Sequence, residues 1–299
     1  MKHKDSFSRK VFNVCNIIFF LAMSVIVLFP YLNMVAKSFN DGNDTAKGGI
    51  TIWPRVFTLE NYKAVMTDEA FLRSCLVSVS VVVLGTILSL LVQYMAGYVF
   101  LNKRLIGHKF LMMFLMIPRY FGGGLIPMYI LFSKMGLLNN YLIYIIPGCF
   151  SVYNMIIIRS YLSSIPYSLH EAARVDGAND LKIAFQIILP LSKPVIATVG
   201  LWLAVAYWNN WTTTLYYVTK KELYTMSYVL QQVLKEADKI QNLIKEAALR
   251  GEILDIKPTI TTESVRSAQL IVTTLPIVLV YPFLQKYFIQ GVTLGAVKD

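Results

Sequence analysis

Long apolar segments constrain the fold of this chain more than any other feature. Each is close to the roughly 20 residues that cross a bilayer. They lie at about 11–34, 76–100, 110–132, 142–158, 183–208 and 268–288. Backbone groups in lipid must bond within the protein, which leaves helices or closed barrels, and runs of this length favour helices. The sequence therefore predicts an all-α polytopic membrane protein with six transmembrane helices.

Composition agrees with a membrane location. Hydrophobic residues make up 56% of the 299 residues, charged residues only 15%, and the mean hydropathy is +0.55. The net charge of +11 does not indicate nucleic acid, because the basic residues are scattered in small groups between apolar runs. Cys15, Cys75 and Cys149 lie in or beside apolar runs, so we expect small buried side chains rather than a disulfide framework.

The ends of two spans are less clearly marked. The fourth run is short, and the third contains Pro118, Arg119, Pro127 and three glycines at 122–124. The basic N-terminus resembles a signal peptide in charge, but the run that follows exceeds an h-region of about 7–15 residues. We therefore expect residues 1–10 to be a cytoplasmic N-terminus and 11–299 to form a single transmembrane domain whose first span is uncleaved.

Charge in the connecting segments predicts the orientation, since Lys and Arg are enriched in cytoplasmic loops. With the N-terminus inside, the inner segments carry 13 basic and 5 acidic residues, a net of +8. The outer segments carry 14 basic and 12 acidic residues, a net of +2, and Arg119 lies within the membrane. Both termini are therefore expected in the cytoplasm.

Two of the outer segments are long. Residues 37–73 include a polar, Gly-containing loop. Residues 209–265 form the predicted extracytoplasmic helical insertion between spans 5 and 6, with Glu246 paired to Arg250 and Gly251 as its stop. Its apolar stripe consists of Val229, Leu230, Val233, Leu234, Ala237, Ile240, Leu243, Ile244, Ala247 and Ala248. This helix either covers or docks something at the outer face, or packs on its own membrane domain; the two are compatible.

The polar stretch 166–190 lies between spans 4 and 5, on the predicted cytoplasmic side. Ser168 followed by Glu171 has the spacing of a capping box, which predicts a helix beginning at Ser168. Gly177 suits the left-handed residue that ends a helix. A second helix is expected to start near Asn179 or Asp180 and to continue into the fifth span past Pro190.

This stretch resembles the E-A-A loop of the membrane permeases of bacterial ATP-binding-cassette importers. Glu171-Ala172-Ala173, Gly177 and Ile187-x-Leu189-Pro190 have the family spacing. The longer pattern I-P-x-S-L-x-E-A-A-x-V-D-G-A resembles the carbohydrate-uptake branch. Pieces similar to a complex-oligosaccharide subgroup are GGGLIPMY from 122, KMGLLNN from 134, LSKPVIAT from 191, WNNW from 208 and YPFLQKYFIQGVTLGAVKD at the C-terminus. The resemblance covers nearly the whole chain.

The resemblance implies a permease subunit for oligosaccharide uptake in the bacterial cytoplasmic membrane. Implied partners are a second homologous permease, two cytoplasmic ATPase subunits and an extracytoplasmic solute-binding protein. The E-A-A loop would be the coupling helix that meets the ATPase, through Glu171, Ala172, Ala173, Arg174, Asp176 and Gly177. Glu171 could instead cap its own helix, and Arg174 and Asp176 could simply be solvated.

Catalytic chemistry is not indicated within the chain. It has no G-x-x-x-x-G-K-[ST] phosphate loop, so ATP and Mg are expected on the partner ATPase, with no cofactor here. His3, His108 and His170 are far apart in sequence, and no metal-ligand spacing accompanies them.

The translocation path is expected to present polar and aromatic side chains at membrane depth. Arg119 lies ten residues beyond Lys109, about 15 Å along a helix; it either meets substrate or bonds carbonyls freed by Pro118 and the glycines. Further candidates are Tyr120, Tyr153, Asn154, Tyr207, Trp208, Asn209, Trp211 and Gln269. Trp208 and Trp211 could instead belong to an interfacial aromatic belt, and Asn154 and Gln269 could bond between helices.

Other functions stay open at this point. A permease for a peptide or polyol would share these features. A secondary transporter would use intramembrane carboxylates, which the predicted spans lack. A membrane-embedded glycan-processing enzyme would need a catalytic constellation, and Glu222, Asp255 and Glu263 show none in the sequence.

Overall fold

The computed structural model of the chain describes residues 7–235 and 262–296. Its helices are α1 (Phe7–Ser38), α2 (Gly42–Ala46), α3 (Glu60–Thr67), α4 (Glu69–Val99), α5 (His108–Tyr120), α6 (Leu125–Lys134), α7 (Val152–Leu162), α8 (Ser168–Val175), α9 (Asp180–Leu191), α10 (Lys193–Trp208), α11 (Thr212–Tyr217), α12 (226–235) and α13 (Thr262–Ala296). Extended pairing in the described residues is one bridge between Asn40 and Phe57. The all-α prediction is confirmed.

Short irregular turns connect some of these helices. Single 3₁₀ turns occupy Tyr141–Tyr144, Ile146–Gly148 and Lys221–Leu223. A π-helical turn, Ile183–Ile188, lies inside α9. The chain divides into two compact units, one made of Met1–Glu69 with Gln232–Thr274 and the other of Ala70–Gln231 with Leu275–Asp299.

Three helical stretches in the described residues are long and apolar enough to cross a membrane unaided: Phe7–Ser38, Glu69–Val99 and Glu263–Val280. Three further stretches are pairs of helices bent at a short break, α5 with α6 by 117°, the 3₁₀ turns 141–148 with α7 by 50°, and α9 with α10 by 83°. The described chain thus offers three spans, or up to six if each bent pair is one crossing.

The predicted helical runs at 110–132, 142–158 and 183–208 are each interrupted by one of these bends. After α5, the residues at 121–124 are not helical, and Gly124 has a φ of +82°, which favours glycine. The 83° bend falls at Ser192, between Pro190 and Pro194. Each proline lacks the N–H that would continue the backbone ladder. At the bend, the Ser192 N–H and Oγ both donate to the Ile188 carbonyl, at 3.0 Å and 2.6 Å.

The core of the larger unit lies where α4, α7, α9 and α10 meet. Its buried apolar side chains include Val81, Ile158, Leu162, Ile188 and Val199. At Gly97 of α4, an added Cβ would lie 3.2 Å from Ile158 Cγ2, so the missing side chain lets α4 and α7 approach closely. Tyr94 Oη donates to the Ala184 carbonyl at 2.5 Å, which ties α4 to the π-helical turn of α9.

The predicted insertion is described only in part. Val229, Leu230, Val233 and Leu234 lie in α12, so the first part of the apolar stripe is helical as expected. The remaining stripe residues, together with Glu246, Arg250 and Gly251, lie outside the described residues.

Candidate functional site

Helix α8 begins and ends where the sequence predicts, but its start is built differently. Tyr167, the residue before Ser168, already has helical angles (φ −63°, ψ −23°) and no side-chain cap is formed. The Glu171 N–H, which a Ser168 cap would bond, donates instead to the Tyr167 carbonyl at 3.2 Å. The predicted capping box is therefore wrong, because an extra turn that starts at Pro166 satisfies the N–H groups with backbone carbonyls.

The end of α8 is a closed left-handed turn. Gly177 has a φ of +77°, and its N–H donates to the Arg174 carbonyl at 3.0 Å. The Ala178 N–H donates to the Ala173 carbonyl at 2.9 Å. This pair of bonds is a Schellman motif, and it satisfies carbonyls that the helix end would otherwise leave free. The prediction that Gly177 ends the helix is confirmed.

The turn is held to the next helix by an ion pair and a cap. Arg174 Nη2 lies 2.9 Å from Asp180 Oδ1, and this hydrogen bond is the main cause of a raised Arg174 pKa. Both side chains are exposed, so the pair supplies orientation more than stability. Asn179 Oδ1 accepts from the Lys182 N–H at 2.8 Å and caps α9. The chain therefore passes from α8 through a defined turn into α9 and then α10.

The two faces of α8 have different surroundings. His170 and Ala173 are buried against the chain's own core. Glu171, Ala172 and Val175 are exposed, and Val175 is 88% exposed. Residues three and four apart share a helix face. One face thus seats α8 on its own subunit, and the other presents a carboxylate beside a small apolar surface.

His170 is the residue of this site that the sequence did not single out. Its ring stacks on Tyr98 of α4, with centroids 6.0 Å apart, and on Tyr167, with centroids 5.4 Å apart. It is 7% exposed, and neither ring nitrogen has a hydrogen-bond partner among the described residues. Burial, followed by the nearby charge of Arg174, lowers its pKa. A neutral aromatic contact therefore fastens α8 to α4.

Four of the predicted pathway residues lie on two neighbouring helices: Arg119 and Tyr120 on α5, and Tyr153 and Asn154 on α7. Helices α5 and α7 pack together, and both are tied to the Phe100 carbonyl, which accepts from Arg159 Nε at 2.9 Å and lies 3.2 Å from His108 Nε2. From this common level, Tyr120 lies about 18 Å along α5 and Tyr153 about 9 Å along α7. Both tyrosine side chains are exposed, 74% and 54%.

Arg119 lies at the end of α5, next to the 117° break. Its side chain is exposed, and no hydrogen bond or ion pair to it is found within residues 7–235 and 262–296. The alternative in which Arg119 bonds the carbonyls freed by Pro118 and the glycines is thus not seen in the described chain. A charge at membrane depth is costly unless it meets water, protein or a ligand.

The candidates near the end of α10 have different environments. Tyr207 is 8% exposed and Trp208 is 9% exposed, so both side chains are largely buried within their own unit. Ser227 Oγ donates to the Trp208 carbonyl. Asn209 is exposed, and with Trp208 it borders an apolar groove of about 640 Å³ lined also by Val79, Val83 and Ile277. Trp211 is half-buried.

Gln269 and Asn154, the two amide residues predicted either to line the path or to bond between helices, have different surroundings. Gln269 is 7% exposed, and its Oε1 has no partner in the described part of the chain. Asn154 is half-buried in the first turn of α7, where its N–H donates to Ser151 Oγ at 3.4 Å.

No group of three His, Cys, Asp or Glu residues that could hold a metal ion occurs among the described residues.

The described chain thus has apolar helices long enough for a bilayer, a surface helix with one exposed face, and a turn that leads from this helix into an apolar helix. Residues 2–294 match the family described as "Binding-protein-dependent transport system inner membrane component". The chain belongs to this family of transport permeases and is a multi-pass inner-membrane protein.

Curated relatives and a solved structure show the same similarity over nearly the full length. Protein LplC of Bacillus subtilis (strain 168) is 34% identical over 97% of this chain and 95% of its own. The polygalacturonan/rhamnogalacturonan transport system permease protein YtcP of the same strain is 33% identical, over 94% and 96%. A bacterial ABC transporter involved in import of the acidic polysaccharide alginate matches with a TM-score of 0.86 and 25% identity, over 96% of this chain and 100% of that chain.

Proposed function

We propose that this chain is half of the translocation pathway of an ATP-binding-cassette importer for oligosaccharides, with six crossings and both termini in the cytoplasm. A second homologous permease, two cytoplasmic ATPase subunits and an extracytoplasmic solute-binding protein complete the transporter. ATP and Mg are bound by the ATPase. The family membership and the names of YtcP and the alginate importer support this assignment.

The observation that carries the coupling role is the free face of α8. Glu171, Ala172 and Val175 are exposed there, while the opposite face is buried in the permease. An ATPase groove that receives this face can move α8 only together with the elements behind it. The Schellman turn and the pair of Arg174 with Asp180 pass that movement to α9 and α10. Closure of the ATPases thereby switches the pathway between inward-facing and outward-facing states.

Two substitutions in α8 test the coupling role. Gly177→Pro forces φ from +77° toward about −65° and removes the N–H that bonds Arg174. Glu171→Lys reverses the charge on the free face. Both variants are expected to abolish ATP-dependent uptake in proteoliposomes while membrane levels stay normal. Lys103→Glu, a charge reversal at another exposed position, is the control and should transport normally.

The outcome that rejects the coupling role is normal uptake by both α8 variants. Co-purification of the ATPase with each variant then separates a docking defect from a transmission defect. Loss of co-purification is expected for Glu171→Lys. Retained co-purification with no uptake is expected for Gly177→Pro, because its exposed face is unchanged.

Arg119 is our proposed contact for an acidic sugar on the path, with Tyr120 and Tyr153 as aromatic surfaces nearby. The exposure of Arg119 without a partner in the described chain supports this role. Arg119→Gln should lower uptake of a carboxylate-bearing oligosaccharide far more than uptake of its neutral, reduced form. Arg119→Lys should keep most of the uptake. Equal loss for both sugars would assign Arg119 to structure instead.

Substrate identity is best tested upstream of the membrane. Binding of a panel of neutral and acidic glycans to the cognate solute-binding protein would distinguish oligosaccharides from peptides or polyols. Vanadate-sensitive uptake would further exclude a secondary transporter.

A further inference from the structure

The loop that follows α1 carries an exposed aromatic and apolar surface that none of the functions above uses. Its members are Ile52, Trp53, Val56 and Phe57, with exposures of 45%, 76%, 50% and 66%. We name these four residues the loop patch. Exposed apolar groups grouped on an ordered loop usually mark an interaction surface.

The loop is rigid, so the exposure of the patch is not the result of an unstructured segment. Asn40 is fully buried; its Oδ1 accepts from the Val56 N–H at 2.8 Å, and its Nδ2 donates to Thr45 Oγ1 at 3.0 Å. Arg55 Nε donates to Asp44 Oδ2 at 2.9 Å, and Arg55 Nη2 donates to the Gly48 carbonyl at 2.7 Å. The backbone around Trp53 is therefore held on both sides.

Hydrogen bonds to α1 fix the height of the patch. Asn33 Nδ2 donates to the carbonyls of Ile50 and Thr51, both at 2.7 Å. Farther along, the Thr58 N–H donates to the Phe39 carbonyl at 2.8 Å. Residues 50–58 thus fold back beside the last turns of α1, and Ile52 and Trp53 follow directly on the segment level with Asn33.

Asn33 lies at the edge of the apolar part of α1. The apolar run of this helix ends at about residue 34, and Phe29 and Leu32 just before it are 50% and 44% exposed. Ile52 and Trp53 therefore continue an exposed apolar helix surface at the level where hydrocarbon gives way to headgroups, whereas Val56 and Phe57 pair with Asn40 and Asp41 just beyond the end of α1. Trp is enriched at this level, because its ring is apolar and its N–H bonds polar groups.

We propose that the loop patch inserts into the headgroup and acyl-chain boundary of the outer leaflet and anchors the end of α1 there. Trp53 is the main anchor, while the Arg55 and Asp44 pair holds the loop in place. The inference rests on α1 crossing the membrane with its N-terminus in the cytoplasm, as in the proposed function, and not on the substrate or on the coupling role of α8. A solute-binding protein seated on the patch is the competing occupant, and the test separates the two.

The test uses the complete transporter reconstituted in phosphatidylcholine vesicles. Tryptophan emission of the wild type minus that of Trp53→Phe isolates the Trp53 signal. Lipids brominated near the headgroup end of the chains should quench this signal strongly, lipids brominated near the chain end should quench it weakly, and aqueous iodide should have little effect. Adding the solute-binding protein should leave it unchanged.

Two results would overturn the proposal. A Trp53 signal that iodide quenches and brominated lipid does not would place the residue in water. A signal that becomes shielded from iodide only when the solute-binding protein is added would assign the patch to that protein. Trp53→Phe keeps an aromatic ring, so its normal membrane level checks that the difference signal comes from folded transporter.

Discussion

Tyr207 Oη of α10 lies 2.8 Å from Ser89 Oγ of α4, and the same ring fills the space left by two glycines. A Cβ added at Gly85 would come within 2.8 Å of Tyr207 Cζ, and one added at Gly148 within 3.1 Å of Tyr207 Oη. A residue that appears from sequence to be a pathway aromatic is thus a packed contact between helices.

This packing predicts that Gly85→Ala destabilises the permease. The ring cannot move away freely, because Gly148 and Ser89 also bound it, and overpacking of such sites costs about 1–3 kcal/mol. Thermal unfolding of the purified transporter should show a lower midpoint. Gly200→Ala is the matched control: its Cβ would meet only the flexible Leu90 Cδ1, at 3.2 Å, so the shift should be smaller. Equal midpoints for Gly85→Ala and wild type would contradict the prediction.

Gly177 allows backbone strain to be separated from crowding. No heavy atom lies within 4 Å of a Cβ added there, so the cost of a side chain comes from the φ of +77° alone. Gly177→Ala should cost about 1–2 kcal/mol. Gly177→Asn should cost less, because Asn tolerates the left-handed region. The measurement is unfolding of the transporter together with its uptake rate; a larger loss for Asn than for Ala would show that something other than φ matters here.

Local features of the coupling region follow from sequence because they depend on near neighbours. The start of α8 at Ser168, its end at Gly177 and the cap of α9 at Asn179 involve contacts within a few residues. The capping box failed for a local reason too, since Tyr167 continued the helix backward and used the N–H that Ser168 would have bonded.

Helix bends, and contacts between residues far apart in the chain, could not be predicted from the sequence in the same way. The hydropathy of residues 183–208 predicts an apolar helix but not the 83° bend at Ser192. The burial of Tyr207 depends on Ser89, 118 residues earlier in the chain. His170 likewise acquires its role only when α4 brings Tyr98 against it.

The stacked ring of His170 predicts a pH dependence. Burial lowers its pKa from 6.5, with a further contribution from Arg174 that Asp180 partly opposes. The unfolded state therefore binds the proton more readily, so the stabilising contribution is complete above pH 6.5 and is lost as pH falls from there through the folded pKa. Unfolding midpoints at about pH 7.5 and about pH 5.5 should differ more for wild type than for His170→Phe.

His170→Phe is the informative control because it keeps a flat ring between Tyr98 and Tyr167 but cannot titrate. Other groups titrate in both proteins, so only the difference between the two pH profiles reports on His170. Identical profiles would mean that its protonation is not linked to the packing of α8.

Asn139 is the one non-glycine residue with positive φ in the described chain, at 55°. Its Oδ1 accepts from the Thr219 N–H at 2.6 Å, from Thr219 Oγ1 at 2.9 Å and from the Lys220 N–H at 3.2 Å. The side chain therefore holds the segment after α11 to the turn after α6. Asn suits both demands, because it tolerates left-handed angles and carries an acceptor.

Three substitutions at Asn139 separate the effect of its positive φ from the effect of its side-chain acceptor. Asn139→Asp keeps the acceptor and the tolerance for positive φ, and should remain within about 0.5 kcal/mol of wild type. Asn139→Gly keeps only the conformational freedom and loses the acceptor that three exposed hydrogen bonds share, so it should cost at least about 1 kcal/mol, the usual net value of one hydrogen bond. Asn139→Ala loses both and should cost about 2–3 kcal/mol, since left-handed strain adds about 1–2 kcal/mol. Unfolding of the purified transporter should rank the variants in this order; Gly falling below Ala would show that the strain at φ 55° is absent.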